Sequence, residues 1–173
     1  MLWGALEANG QNSPPPLAGR MPFTELPPAG GAPAGWVSID YNQTVAEWTY
    51  DPGTGRYWRV SDGEALLDAN NNLQISAANV AVIFVRHRFI EGVCVFSAEG
   101  DCIVYPIEIQ LWEQGEALLF RDGQVYSGVW QRPAEDDVLR LVNDAGDVLP
   151  FQIGNTWFQV VPVGWYEEPV KYR

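Results

Sequence analysis

Cys94 and Cys102 stand eight positions apart in a stretch that reads as two strand ends joined by a polar turn. A turn at Gly100-Asp101 between β-prone flanks would bring the sulfurs across a hairpin, so a disulfide is geometrically reasonable. Two buried free thiols are the alternative. Closing so small a loop adds on the order of 2–3 kcal/mol when unstrained, and the bond persists only in an oxidising compartment. A zinc site would need two further ligands, and His87 is the single histidine of the chain.

Nucleophilic catalysis needs Ser, Cys or Thr beside an oriented base. His87 lies in Val85-Arg86-His87-Arg88, which reads as a surface histidine at a strand end. There is no Gly-x-Ser-x-Gly, no phosphate-cradling loop and no Gly-x-Gly-x-x-Gly, so no nucleotide cofactor is expected. Paired carboxylates could hydrolyse a glycan beside an aromatic platform, with Glu47 next to Trp48 and Glu108 near Trp112 as the best candidates. A carboxylate on the outer face of a strand is usually only solvated, and no catalytic residue is assigned. Asp68, Asn70 and Asn72 alternate as in a calcium loop, and Asp144, Gly146 and Asp147 crowd another turn. Neither run has the glycine and distal glutamate of the complete loop, so turn chemistry explains both and no metal is expected. The eight tryptophans are the most unusual feature. Trp48, Tyr50, Tyr57, Trp58 and Trp157 lie in expected strands and suit a core. Trp112 and Trp130, with Glu108 and Gln110, form the candidate ligand surface, where exposed rings would stack on sugars or anchor a protein.

The elements that must position these groups are mostly strands. Residues 2–9 could form two turns of helix before Gly10, and residues 13–35 are broken by prolines and glycines that stop any ladder or helix. The expected organisation is a short helix and Pro/Gly-rich connector over 1–35, a β domain over 36–165 and a tail over 166–173. Beyond Trp36, short β-branched and aromatic runs alternate with turn residues, the pattern of an antiparallel sheet protein. Residues 80–85 are apolar on both alternate sets and predict a central strand covered on both faces. Residues 107–112 alternate, which places Ile107, Ile109 and Leu111 inward and Glu108, Gln110 and Trp112 on the other face. Asp122-Gly123 suits a type I′ hairpin turn, with Phe120 opposite Val125 and Leu119 opposite Tyr126. The fold class is mainly β, an antiparallel β-sandwich or partly open β-barrel.

With 173 residues the chain fits one domain, and its 47% apolar and 13% aromatic content is that of a folding chain. The formal charge of −12 repels phosphate backbones and anionic membrane surfaces, so no nucleic-acid partner is expected. The longest apolar runs fall far short of the ~20 residues that span a bilayer. The first seven residues lack the basic and long apolar regions of a signal peptide, so the chain is either cytosolic or a piece of a longer protein.

The order of segments carries a resemblance. Trp48-Thr49-Tyr50-Asp51-Pro52 leads to Gly55-Arg56-Tyr57-Trp58-Arg59, then Asp62-Gly63 and Ala78-Asn79-Val80. There follow Ala117 to Gly123, Gly128-Val129-Trp130, Asp144-Ala145-Gly146 and Gly154 to Pro162. Together these resemble the C-terminal domain of the YerB-like bacterial lipoproteins, a family of unknown function, and the likeness covers nearly the whole chain. Residues 93–101, which hold Cys94, depart from the family pattern. The resemblance implies export, with a lipid anchor on an N-terminal part absent from this chain, and brings no catalytic residues to carry over. The expected function is therefore that of a non-catalytic interaction domain acting outside the cytoplasm, in the cell envelope, beside the missing N-terminal domain. Its expected partner is an envelope protein or glycan. The alternatives are a carbohydrate- or peptidoglycan-binding module built on Trp112 and Trp130 and, behind it, a carboxylate-based glycan hydrolase.

Overall fold

A computed structural model describes residues 9–10 and 21–173. Nine strands carry the fold: β1 (Trp36–Asp40), β2 (Val45–Asp51), β3 (Arg56–Ser61), β4 (Asn79–Val85), β5 (Glu113–Arg121), β6 (Gln124–Arg132), β7 (Arg140–Val142), β8 (Thr156–Pro162) and β9 (Val170–Tyr172). One sheet runs β9-β1-β2-β3 and ends on the short strand Glu64–Ala65, with Ser76–Ala77 also pairing on β3. The other runs β7-β6-β5-β4-β8, with Ala32–Pro33 pairing on β6. Neighbours are antiparallel in both, except that β8 runs parallel to β4. No barrel closes. The two large sheets form the sandwich expected of an alternating, turn-punctuated sequence.

Local chemistry sets the turns. Asp122 and Gly123 both adopt positive φ, 53° and 72°, and the register places Phe120 opposite Val125 and Leu119 opposite Tyr126, as the type I′ geometry dictates. Between β2 and β3, the Asp51 carboxylate accepts from the Gly53 amide at 2.9 Å and the Thr54 hydroxyl at 2.8 Å. Both bonds favour its ionised form and hold its pKa below the usual value.

Two cores share β4. Val80 and Val82 meet Val37, Ile39, Trp48 and Tyr57 between the sheets. Ala81, Ile83 and Val85 face the opposite side and pack with Leu119, Trp130, Leu141 and Phe151. The doubly apolar run 80–85 is thus buried on both faces, between β5 and β8. Polar side chains lock the covering segments onto this second core. The Asn79 amide donates to the Gln152 carbonyl at 2.9 Å and accepts from its N–H at 2.7 Å. Arg121, fully buried, bonds the carbonyls of Pro150 (2.9 Å), Thr24 (3.2 Å) and Glu25 (3.2 Å) and pairs with Asp122 at 2.7 Å.

Several expectations are corrected. No helix occurs among the described residues: Asn9 and Gly10 form a turn, and the rest of the expected helix over 2–9 lies outside them. The connector's described part does build ladders, because Phe23–Thr24 pairs in parallel with Phe151–Gln152 and Ala32–Pro33 pairs with Gln124–Val125. Proline tolerates this edge position, where it need only accept. The segment read as a tail contributes β9, paired with β1.

Replacing Arg121 with Met should lower stability by about 3 kcal/mol or more, since three carbonyls and the Asp122 carboxylate lose the buried cation that ties them together. Urea unfolding at neutral pH checks this. Arg140→Ala, at an exposed position on β7, should change it by less than about 0.5 kcal/mol.

Candidate functional site

Past Val85 the chain leaves the sandwich as a two-stranded arm over residues 86–112. His87–Phe89 pairs with Ile107–Ile109, and farther out Phe96–Ala98 pairs with Asp101–Val104. Cys94 and Cys102 are joined by a disulfide, with their Cα atoms 5.8 Å apart. The tip turns at Glu99 and Gly100, both at positive φ (52° and 93°), one position earlier than the expected Gly100-Asp101 turn. Glycine suits the second of these corners and glutamate is strained at the first.

The arm is apolar and in water. Val93, Val95, Phe96, Ile103 and Val104 are each between 45% and 64% exposed, and no residue of 86–110 belongs to either core. The inward placement of Ile107 and Ile109 is therefore overturned: both are 44% exposed. Their alternation is real, but among the described residues the ribbon pairs only with itself and has no sheet behind it. At the root, Trp165 stacks on Phe89 (5.2 Å, 19°) and leans on His87 (5.6 Å), while Phe89 meets Tyr105 edge-on at 6.4 Å. His87 is half-buried, and its Nδ1 lies 2.9 Å from the Val85 carbonyl.

Beside the root lies a cleft of about 480 Å³, lined by Arg86, Gln110, Trp112, Glu113, Glu116 and Tyr166 over a floor of Phe84, Gly115 and Trp130. The structure thus brings together three of the four residues of the candidate ligand surface. The fourth, Glu108, stands just behind: its carboxylate accepts from the Gln110 amide at 3.1 Å and faces Arg88 at 3.8 Å. Trp112 is 45% exposed, but Trp130 is no open platform. It is 2% exposed, and its indole N–H donates to the Phe84 carbonyl at 2.8 Å. Trp130 stands across from Gly115, where a Cβ would lie 2.5 Å from the indole nitrogen and 2.6 Å from the Phe84 oxygen. The ring therefore depends on that glycine. Glu113 takes φ +70° where the arm re-enters β5.

Behind the cleft, Tyr166 meets Tyr41 edge-on at 6.2 Å, and Tyr41 donates to Gln159 Oε1 at 2.8 Å inside the sandwich. Burial pushes the Tyr41 phenol up to about 12 and raises Tyr57 as well. Burial lowers Arg59, whose guanidinium lies over the Trp48 ring at 5.3 Å. Trp48 and Tyr57 are fully buried, as their strand positions suggested, whereas Tyr50, Trp58 and Trp157 are half-buried.

The remaining candidates lie elsewhere. Glu47 accepts from the Trp36 indole at 3.2 Å on β2, so it and Glu108 stand on different sheets and neither lines the cleft. Asp68 accepts from the Asn70 amide at 2.8 Å, and in the other loop the Asn143 side-chain carbonyl accepts from the Ala145 (3.0 Å) and Asp147 (2.8 Å) amides while its amide donates to the Asp147 carboxylate at 3.3 Å, the bonds of ordinary turns. Glu113, Glu116, Tyr166 and Trp165 were missed by sequence reasoning. They sit at a strand start and in a turn-rich end segment, where no periodicity points to a shared cleft.

The fold and family have counterparts among known proteins. A family model described as "Protein of unknown function (DUF3048) C-terminal domain" matches residues 37–158. The Bacillus subtilis (strain 168) protein named "Putative lipoprotein YerB" is 26% identical over 136 residues, which cover 73% of this chain and 35% of that protein. The crystal structure of YerB protein from Bacillus subtilis superposes with a TM-score of 0.71 at 23% identity, over 99% of this chain and 52% of that one. At that identity the match speaks for the fold. The chain spans about a third of the curated relative's length and about half of the solved chain.

The buried phenols give stability a definite pH dependence. Their folded pKa values lie above those of the unfolded chain, so their contribution is fully present below about pH 10 and is lost as pH rises from there toward 12. Urea midpoints should therefore fall over that window, and Tyr41→Phe should make the fall shallower.

Proposed function

The chain belongs to the family described as "Protein of unknown function (DUF3048) C-terminal domain", and on that basis we propose that it is a non-catalytic interaction domain of an extracytoplasmic lipoprotein, engaging a protein partner in the cell envelope. The observation that carries this reading is the arm. Its exposed valines, isoleucines and Phe96 belong to neither core of the described residues, and covering them would release water from apolar surface. A partner laid along the ribbon also finds strand edges that no described residue pairs with, open to main-chain bonds.

The disulfide supports the location, since such a bond persists where thiols are not kept reduced. The name of the Bacillus subtilis relative supports anchoring by lipid, in a part of the polypeptide beyond these residues. The chain covers only 35% of that relative, which supports a further domain working beside this one. Against hydrolysis stands the separation of the two candidate carboxylates, with Glu47 engaged by Trp36 and Glu108 by Gln110 and Arg88.

A photo-crosslinking side chain at Phe96, in the full-length protein in intact cells, should give a discrete adduct. The same group at Leu73, exposed on the body, should give none. Equal labelling at the two positions would count against the arm. Replacing both Cys94 and Cys102 with Ser should abolish the adduct while leaving the thermal midpoint of the body within a few degrees, because the arm lies outside both cores.

A further inference from the structure

We propose that the cleft at the root of the arm is a binding site for a neutral saccharide, distinct from the protein-binding surface of the arm. The cleft holds Arg86 together with Glu113 and Glu116. None of the three side chains has a hydrogen-bond or ion-pair partner among the described residues. An anionic ligand would meet two carboxylates, and a cationic one would meet the guanidinium and leave it desolvated. Hydroxyl groups answer both, because each donates to a carboxylate and accepts from an arginine.

Gln110 adds a fixed acceptor. Its amide nitrogen is taken by Glu108, which Arg88 faces in turn, so the side-chain carbonyl is left for a ligand. A polar group oriented in advance by its neighbours binds without a further ordering cost. The apolar half of the recognition comes from Trp112, 45% exposed at the rim, and from Tyr166. Their ring faces suit the C–H face of a pyranose, as amphipathic rings suit any ligand with one apolar side. The floor is closed: Trp130 is nearly fully buried, and its indole N–H is already committed to Phe84. A volume of about 480 Å³ lies within the range of small-ligand sites and suits a short oligosaccharide.

The test titrates the protein with chitotetraose, maltotetraose and cellotetraose by calorimetry, following tryptophan fluorescence in parallel. At least one sugar should give a saturable isotherm. Trp112→Ala should weaken it about tenfold or more, Trp112→Phe should retain most of the affinity, and Gln110→Ala should weaken it severalfold. Phe96→Ser, out on the arm, should leave it unchanged, so this inference and the arm's role can fail separately. Trp112 belongs to neither core, so its truncation leaves the fold intact, which circular dichroism checks. No saturable isotherm with any of the three sugars would overturn the proposal. So would affinity that survives both Trp112→Ala and Gln110→Ala, or binding of a lysine oligopeptide in competition with the sugar.

Discussion

β4 is held in place from both sides. Val80 and Val82 are fixed by the first sheet, while Ala81, Ile83 and Val85 are fixed by the segments that cover the second sheet's far face. A strand buried this way cannot slip by one residue to exchange its faces at no cost, but its two residue sets are nearly equivalent in character. Register therefore has to be fixed by other means. Asn79 supplies one, since its buried side chain both donates to and accepts from the Gln152 backbone, and a one-residue shift would break these bonds inside the core. The parallel pairing with β8 and the antiparallel pairing with β5 close the remaining freedom.

The end of β4 then dictates where the chemistry lies. Val85 is the last buried residue of β4, and the ribbon that follows has no sheet to lie on among the described residues. Its return into β5 at Glu113 leaves the indole of Trp112 at the rim and sets Gly115 across from Trp130. The C-terminal segment, held by β9 on the first sheet, brings Trp165 against Phe89 and Tyr166 into the cleft. Arm, cleft and terminus are thus one construction, in which a change at Gly115 would be felt through Trp130.

The parts legible in the sequence are those where one local rule decides. Asp122-Gly123 fixed its hairpin and register, and the run 80–85 announced its double burial. The eight-residue spacing announced the disulfide, although the turn falls one residue earlier than composition suggested. The misses share a cause. Alternation at Ile107 and Ile109 says that one face differs from the other, and only tertiary context says whether a sheet lies behind that face. Trp130 looks the same in sequence whether it crowns an outer face or fills the space beside Gly115. Arg121 looks like an ordinary hairpin end, because its three carbonyl partners lie about 30 or nearly 100 residues away along the chain.

Exposed apolar arms and unpaired strand edges normally invite self-association. Here the charge works against it. Glu91, Glu99 and Asp101 flank the apolar positions of the outer arm, with no basic residue between Ile90 and Pro106, and the whole chain carries −12. Two copies approaching arm to arm would bring like charges together on the very surface that must desolvate, a cost that rises as water leaves. A partner with basic groups around an apolar face would meet the opposite situation, with attraction steering the encounter before the apolar contact forms. The same acidic residues that keep the arm from its own kind therefore bias it toward a partner of complementary charge.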